Sequence, residues 1–67
     1  PFCYLAPNHK KGFVDAGFTR GFQLRRNQDY LVGEKRNTVK SLRYYNLVDI
    51  DNAVLVDVIK EASKLYA

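Results

Sequence analysis

Val14-Asp15-Ala16-Gly17-Phe18-Thr19-Arg20-Gly21-Phe22-Gln23-Leu24 is the stretch whose reading decides the fold. Val14, Ala16, Phe18, Phe22 and Leu24 share one parity; Asp15, Gly17, Thr19, Gly21 and Gln23 share the other. A period of two is the signature of a pleated strand with one apolar and one polar face. Arg20 is the only break on the apolar parity. Two readings stay open: one strand bent at its glycines, or a hairpin turning near Thr19-Arg20-Gly21. The parity holds across the turn, which favours the bent strand.

The flanking segments supply partners. Phe2 to Ala6 reads as a short strand closed by Pro7, and Pro7 to Gly12 has turn chemistry throughout. Arg25 to Asp29 is polar and ends the long alternation. Arg25 and Arg26, adjacent on a strand, would point to opposite faces. Tyr30-Leu31-Val32 is a short strand candidate, and Gly33 to Asn37 is a charged loop. Thr38 to Tyr45 is rich in β-branched and aromatic residues and reads as extended, with a short helix capped by Thr38 as the competing reading.

The C-terminal stretch is helical. Over residues 51–66, Val54, Leu55, Val58, Ile59, Ala62, Leu65 and Tyr66 gather on one uncharged arc, with Val56 outside it. Asp49 or Asp51 suits the first turn as a cap. Asp57–Lys60 and Glu61–Lys64 have the i,i+3 spacing of helix ion pairs. The expected fold is therefore α+β: a small three- or four-stranded, mostly antiparallel sheet with one C-terminal amphipathic helix packed on a face. Residues 1–67 form a single domain, with the sheet at about 2–45 and the helix at about 51–66.

Sixty-seven residues bury only about 60% of the unfolded surface, so a lone core gives thin stability. The one cysteine, Cys3, excludes an internal disulfide, and Cys3 with the one histidine, His9, cannot supply the four ligands of a structural zinc site. Association with itself or with a larger assembly is the remaining support. No apolar run approaches the length of a membrane span. The lack of a disulfide pattern or a visible secretory signal places the chain, as an expectation, in a reducing, cytoplasmic setting.

The net charge is +4, and it is unevenly spread. Residues 1–45 carry nine Lys or Arg against Asp15, Asp29 and Glu34, whereas residues 46–67 carry Lys60 and Lys64 against Asp49, Asp51, Asp57 and Glu61. Positive charge thus belongs to the sheet region and its loops.

Catalytic apparatus is not visible. Cys3 and His9 are the only nucleophile–base combination, and nothing in the sequence holds them in register. The opening Pro1-Phe2 resembles the start of the tautomerases, whose N-terminal proline amine is a catalytic base. That family needs a long helix after its first strand, where this chain has Gly12, Gly17, Gly21 and a strand alternation. Lys11-Gly12-Phe13 and Arg20-Gly21-Phe22 each resemble the start of an RNA-recognition strand, without the rest of that motif. Thr38-Val39-Lys40-Ser41-Leu42-Arg43-Tyr44-Tyr45 resembles the Leu-Arg-Tyr-Tyr stretch of MerR-type regulators, which would make it part of a helix in a winged helix-turn-helix. The match spans about eight residues, and the helix that should precede it is not evident, so no family is assigned.

The expected function is non-enzymatic nucleic-acid binding through a basic sheet face and basic loops, with no cofactor and no metal. Lys10, Lys11, Arg25, Lys35, Arg36, Lys40 and Arg43 are the candidates for the phosphate backbone of DNA or RNA, and Tyr44 or Tyr45 for stacking on bases. The alternative is a protein-interaction module, a small subunit, inhibitor or adaptor docking through a sheet edge or an aromatic patch.

Overall fold

The computed structural model describes residues 2–66. Four strands, β1 (Cys3–Asn8), β2 (Phe13–Phe18), β3 (Leu31–Val32) and β4 (Lys40–Tyr44), precede one helix, α1 (Asn52–Lys64). All neighbouring strands are antiparallel, in the order β1-β2-β4-β3. Thr38 to Tyr45 is therefore extended where it is regular, and the helix implied by the likeness to MerR-type regulators is not formed. Pro1 lies outside the described residues.

β1 runs through Pro7, beyond the expected stop at Ala6. Its position in the sheet explains the tolerance. The Thr19 N–H donates to the Phe2 carbonyl at 3.2 Å, so even-numbered residues of β1 bond to β2 and odd-numbered ones turn their backbone groups outward. Proline lacks an N–H, and at an outward position on an edge strand it breaks no ladder bond.

β2 stops at Phe18, so the alternation through Leu24 is neither one bent strand nor a hairpin. The chain turns at Thr19-Arg20 into a 3-10 turn at Gly21–Gln23, where the Leu24 N–H reaches the Gly21 carbonyl at 3.0 Å. Packing forces this. Gly21 is buried against β4, where a Cβ would collide with the Lys40 backbone, and the Phe22 N–H donates to the Thr38 carbonyl at 2.9 Å. Leu24 leaves the turn extended and enters the core, while Phe22 stays about half exposed. Tyr30 also belongs to a 3-10 turn, Gln28–Tyr30, rather than to β3.

The core lies between α1 and one face of the sheet. Ala16, Phe18, Leu24 and Leu42 meet Val58 and Ala62, with Leu55, Ile59 and Leu65 packed around them. The apolar arc of the helix is thus the buried one, and Asp51 caps it, its carboxylate accepting from the Ala53 and Val54 N–H groups at 3.0 and 3.2 Å. The far end is tied to the sheet: Arg20 donates to the Leu65 carbonyl at 2.9 Å and lies 4.6 Å over the Tyr66 ring, whose hydroxyl bonds that of Thr19.

The acids of α1 reach across the fold rather than along the helix. Asp57 accepts from Arg26 Nε at 3.0 Å and Asn27 Nδ2 at 2.8 Å, and Glu61 accepts the backbone N–H groups of Arg25 and Arg26 at 2.8 and 3.2 Å. Arg25 and Arg26 are consequently in an irregular segment, not on a strand. Asn27, at φ 60°, turns the chain there, a left-handed conformation asparagine tolerates. No helix among the described residues is long and apolar enough to cross a membrane.

Candidate functional site

The face of the sheet opposite α1 is the polar parity of the sequence, yet its centre is closed. Asp15, Gly17 and Ser41 are buried. The Tyr4 ring covers Gly17 so closely that an added Cβ would fall 2.5 Å from its Cζ. Arg43 lies opposite Asp15 and grips both carboxylate oxygens, Nε to Oδ1 at 2.8 Å and Nη2 to Oδ2 at 3.0 Å. Its remaining nitrogen meets Glu34 at 2.5 Å, and its guanidinium rests 3.9 Å from the Phe13 ring centre. The carboxylates hold the Arg43 pKa above its ordinary value, Asp15 more strongly than Glu34.

Arg36 closes the other side. It donates to the Ser41 hydroxyl at 2.7 Å, the Val32 carbonyl at 2.6 Å and the Gly33 carbonyl at 3.2 Å, and stands 4.0 Å from Asp15. Two of the expected phosphate contacts, Arg36 and Arg43, are therefore engaged inside the protein. Both are partly shielded, and their hydrogen bonds fix the loop to the sheet.

The nine cations of residues 1–45 divide between two surfaces. Lys11, Arg36 and Arg43 share a cavity of about 240 Å³ on the outer face, with Phe13, Asp15 and Glu34 in its lining. The exposed Lys10 and Lys35 belong to the same two loops, β1–β2 and β3–β4. Arg20, Arg25 and Arg26 instead lie beside α1, as the bonds above require. Lys40 has the parity of Phe18, its register partner, and its ammonium donates to Gln28 at 2.9 Å. The basic residues thus do not form one continuous face. Among the described residues, no acid lies within ion-pair distance of Lys10, Lys11, Arg25 or Lys35.

The two candidate stacking residues separate as well. Tyr44 has the parity that faces α1 and is half-buried; burial, then the nearby Asp51 charge, pushes its hydroxyl pKa up. Tyr45 is exposed and meets Phe13 edge-on, with ring centres 5.6 Å apart. Cys3 sits on β1, where burial raises its thiol pKa, and His9 lies in the exposed β1–β2 turn.

A second surface was not singled out by the sequence. α1 closes over the sheet where Phe18 and Leu42 meet Val58 and Ala62, and beside that contact its Leu55 and Ile59 face Cys3 and Leu5 of β1 across open space. An open apolar cleft of about 540 Å³ results, with Leu5, Val14, Tyr44, Leu47, Leu55 and Ile59 in its walls. Leu5 is 75% exposed, and Leu47 and Val48 are 86% and 89% exposed. Such contiguous apolar exposure marks an interaction surface more often than isolated leucines do. The signal in the sequence was the apolar cluster Leu47-Val48 and Ile50, set in a segment whose only charges are Asp49 and Asp51.

Comparison with known protein families, with curated proteins and with solved structures finds no match for this chain.

Proposed function

We propose that this chain is a protein-interaction module that receives an extended apolar polypeptide segment, added as a strand to β1. The observation that carries this reading is the joining of two unmet needs at one place. Cys3 and Leu5 turn backbone N–H and C=O groups outward from the β1 edge, and their side chains stand at the apolar cleft. Main-chain groups at a sheet edge select a polypeptide backbone, and a cleft beside them selects alternate apolar side chains. Asp49 and Asp51, with no cation between Asn46 and Asp57, favour a segment with basic flanks.

The test is an NMR titration with a lysine-flanked peptide of alternating valine and threonine. Saturable shifts at Cys3, Leu5, Val14 and Ile59, abolished by Leu5→Lys, are expected. Shifts absent from these residues, or unchanged in that variant, sink the reading. Shifts at the same residues on raising protein concentration without peptide identify a second copy as the occupant and remove the foreign segment.

Nucleic-acid binding is the second reading, favoured by the meeting of Lys11 with Arg36 and Arg43 in one cavity and by Lys10 and Lys35 on the adjoining loops. It rests on fewer free cations than the seven nominated from sequence. Binding of a labelled single strand at low salt, released as salt rises and weakened by charge reversal of Lys10 and Lys35, is its expected behaviour. No binding at low salt removes it.

A further inference from the structure

The cavity on the outer face has an unusual occupant in Glu34. Lys11, Arg36 and Arg43 line it against two acids, and the acids differ in kind. Asp15 is buried at the centre of the sheet, gripped at both oxygens by Arg43, and belongs to the framework. Glu34 is on a loop, its side chain is 53% exposed, and it touches only the outermost nitrogen of Arg43. Its backbone stands at φ 51°, in the left-handed region that side chains other than asparagine and aspartate rarely enter.

We propose that Glu34 is a displaceable internal stand-in for a small oxyanion, and that with its carboxylate swung out this cavity binds a phosphate group. Three features fit that ligand. Asp15 fixes the Arg43 fork, so the Nη1 that Glu34 now holds keeps its direction when the carboxylate leaves. Phe13 lies under the guanidinium and limits its other rotamers. Departure of Glu34 also changes the charge balance. Three cations then face Asp15 alone, in an open cavity of about 240 Å³ that is ample for a phosphate. Lys11, on the facing loop, supplies the second contact. The arrangement makes affinity depend on the cost of moving one side chain, a population shift in which the internal carboxylate competes with the ligand. The inference does not rest on strand addition at β1, whose apolar cleft lies on the other face of the sheet.

The probe is inorganic phosphate, titrated at constant ionic strength against chloride and followed by amide shifts. The wild-type chain is expected to bind weakly, with a Kd of about a millimolar or above. Glu34→Gln, which removes the competing charge, is expected to tighten binding about tenfold, the gain for removing a competing interaction of about 1.4 kcal/mol. Lys11→Gln, in an exposed turn outside the ion network, is expected to weaken binding in the Glu34→Gln background while leaving the spectrum otherwise folded. Saturable shifts at Phe13, Glu34 and Arg43 with this order of affinities support the site. Absence of saturation in Glu34→Gln, equal affinity in the two forms, or shifts scattered over Arg25 and Lys60 as well overturns it. Binding of an oligonucleotide at these residues without binding of inorganic phosphate also overturns it, and assigns the loops to nucleic acid instead.

Discussion

Asp15 and Arg43, twenty-eight residues apart in sequence, stand directly opposite each other on β2 and β4 and share a two-point ion pair at 2.8 and 3.0 Å. The pair converts the polar face of a central strand into a second, smaller core. Ser41, also buried, joins it through Arg36, so the outer face is closed by a polar network together with the rings of Phe13 and Tyr4. Buried polar groups demand complete partnering, and among the described residues every buried side-chain nitrogen and oxygen has a partner.

Asp15→Ala is expected to destabilise the chain by about 2–4 kcal/mol, because it strands the Arg43 guanidinium in a shielded position and removes the acid nearest Arg36. The range lies slightly below that of a fully buried pair because Arg43 keeps some access to solvent. Arg43→Ala is expected to cost a similar amount, and the double variant less than the sum. Urea unfolding of the four proteins measures this coupling; strict additivity contradicts it.

Gly21 and Gly17 both lack room for a side chain, yet their substitutions are expected to differ. At Gly21 a Cβ meets the Lys40 backbone, which cannot step aside without breaking β4; Gly21→Ala should cost about 1–3 kcal/mol. At Gly17 the obstacle is the far end of the Tyr4 side chain on an edge strand. Gly17→Ala should be milder, with Tyr4 displaced and its hydroxyl environment changed. Denaturation midpoints, with Tyr4 fluorescence or NMR shifts, separate the two.

Val58 and Val56 sit two residues apart on α1 and face opposite ways. Val58 is completely buried between the helix and the sheet, whereas Val56 is outside the contact. Val58→Ala should cost about 2 kcal/mol through lost burial and the cavity left behind. Val56→Ala should be neutral or slightly stabilising, since alanine is the better helix former. Equal effects would mean that the helix docks by another face.

Acid should weaken the tie between α1 and the Arg25–Asn27 segment. Hydrogen bonds from Asn27 and then Arg26 hold the Asp57 carboxyl below its ordinary value of 3.8. A carboxyl lowered in the folded state stabilises it above the unfolded pKa and loses that contribution as pH falls through the folded one. Stability should therefore decline as pH drops below about 4. The effect should be small, because Asp57 is exposed to screening by solvent. Asp57→Asn should remove this part of the acid sensitivity, read as a smaller difference between urea midpoints at about pH 3 and about pH 7.

Much of the fold was legible because it follows from short-range periodicity. The arc from Val54 to Tyr66 required a helix with one apolar side, and both Asp49 and Asp51 suited its first turn; the structure makes Asp51 the cap. Val14 to Phe18 required a strand with Ala16 and Phe18 inward. The continuation to Leu24 was misleading, since its parity extended past the strand while the backbone did not. What ended β2 was the close passage of Gly21 against Lys40, a contact between distant segments. Likewise Pro7 has the local chemistry of a strand end, and only its outward position on an edge strand makes it compatible with β1. The candidate site was less legible still. Charge alone nominated Arg36 and Arg43 as phosphate contacts, but the number of free cations depends on which acids lie opposite them.

The sequence by itself determined which residues alternate, which segment coils and, to within the choice between Asp49 and Asp51, where the helix starts, because those depend on a residue and its neighbours within one or two turns. Tertiary structure decided what each charge faces and what remains uncovered. Asp15 became a buried anchor through β4, the arginines divided between the two sides of the sheet, and a cleft was left open between Leu5 and the helix residues Leu55 and Ile59. Those outcomes are set by strand order and packing direction, which bring together groups that no local pattern relates.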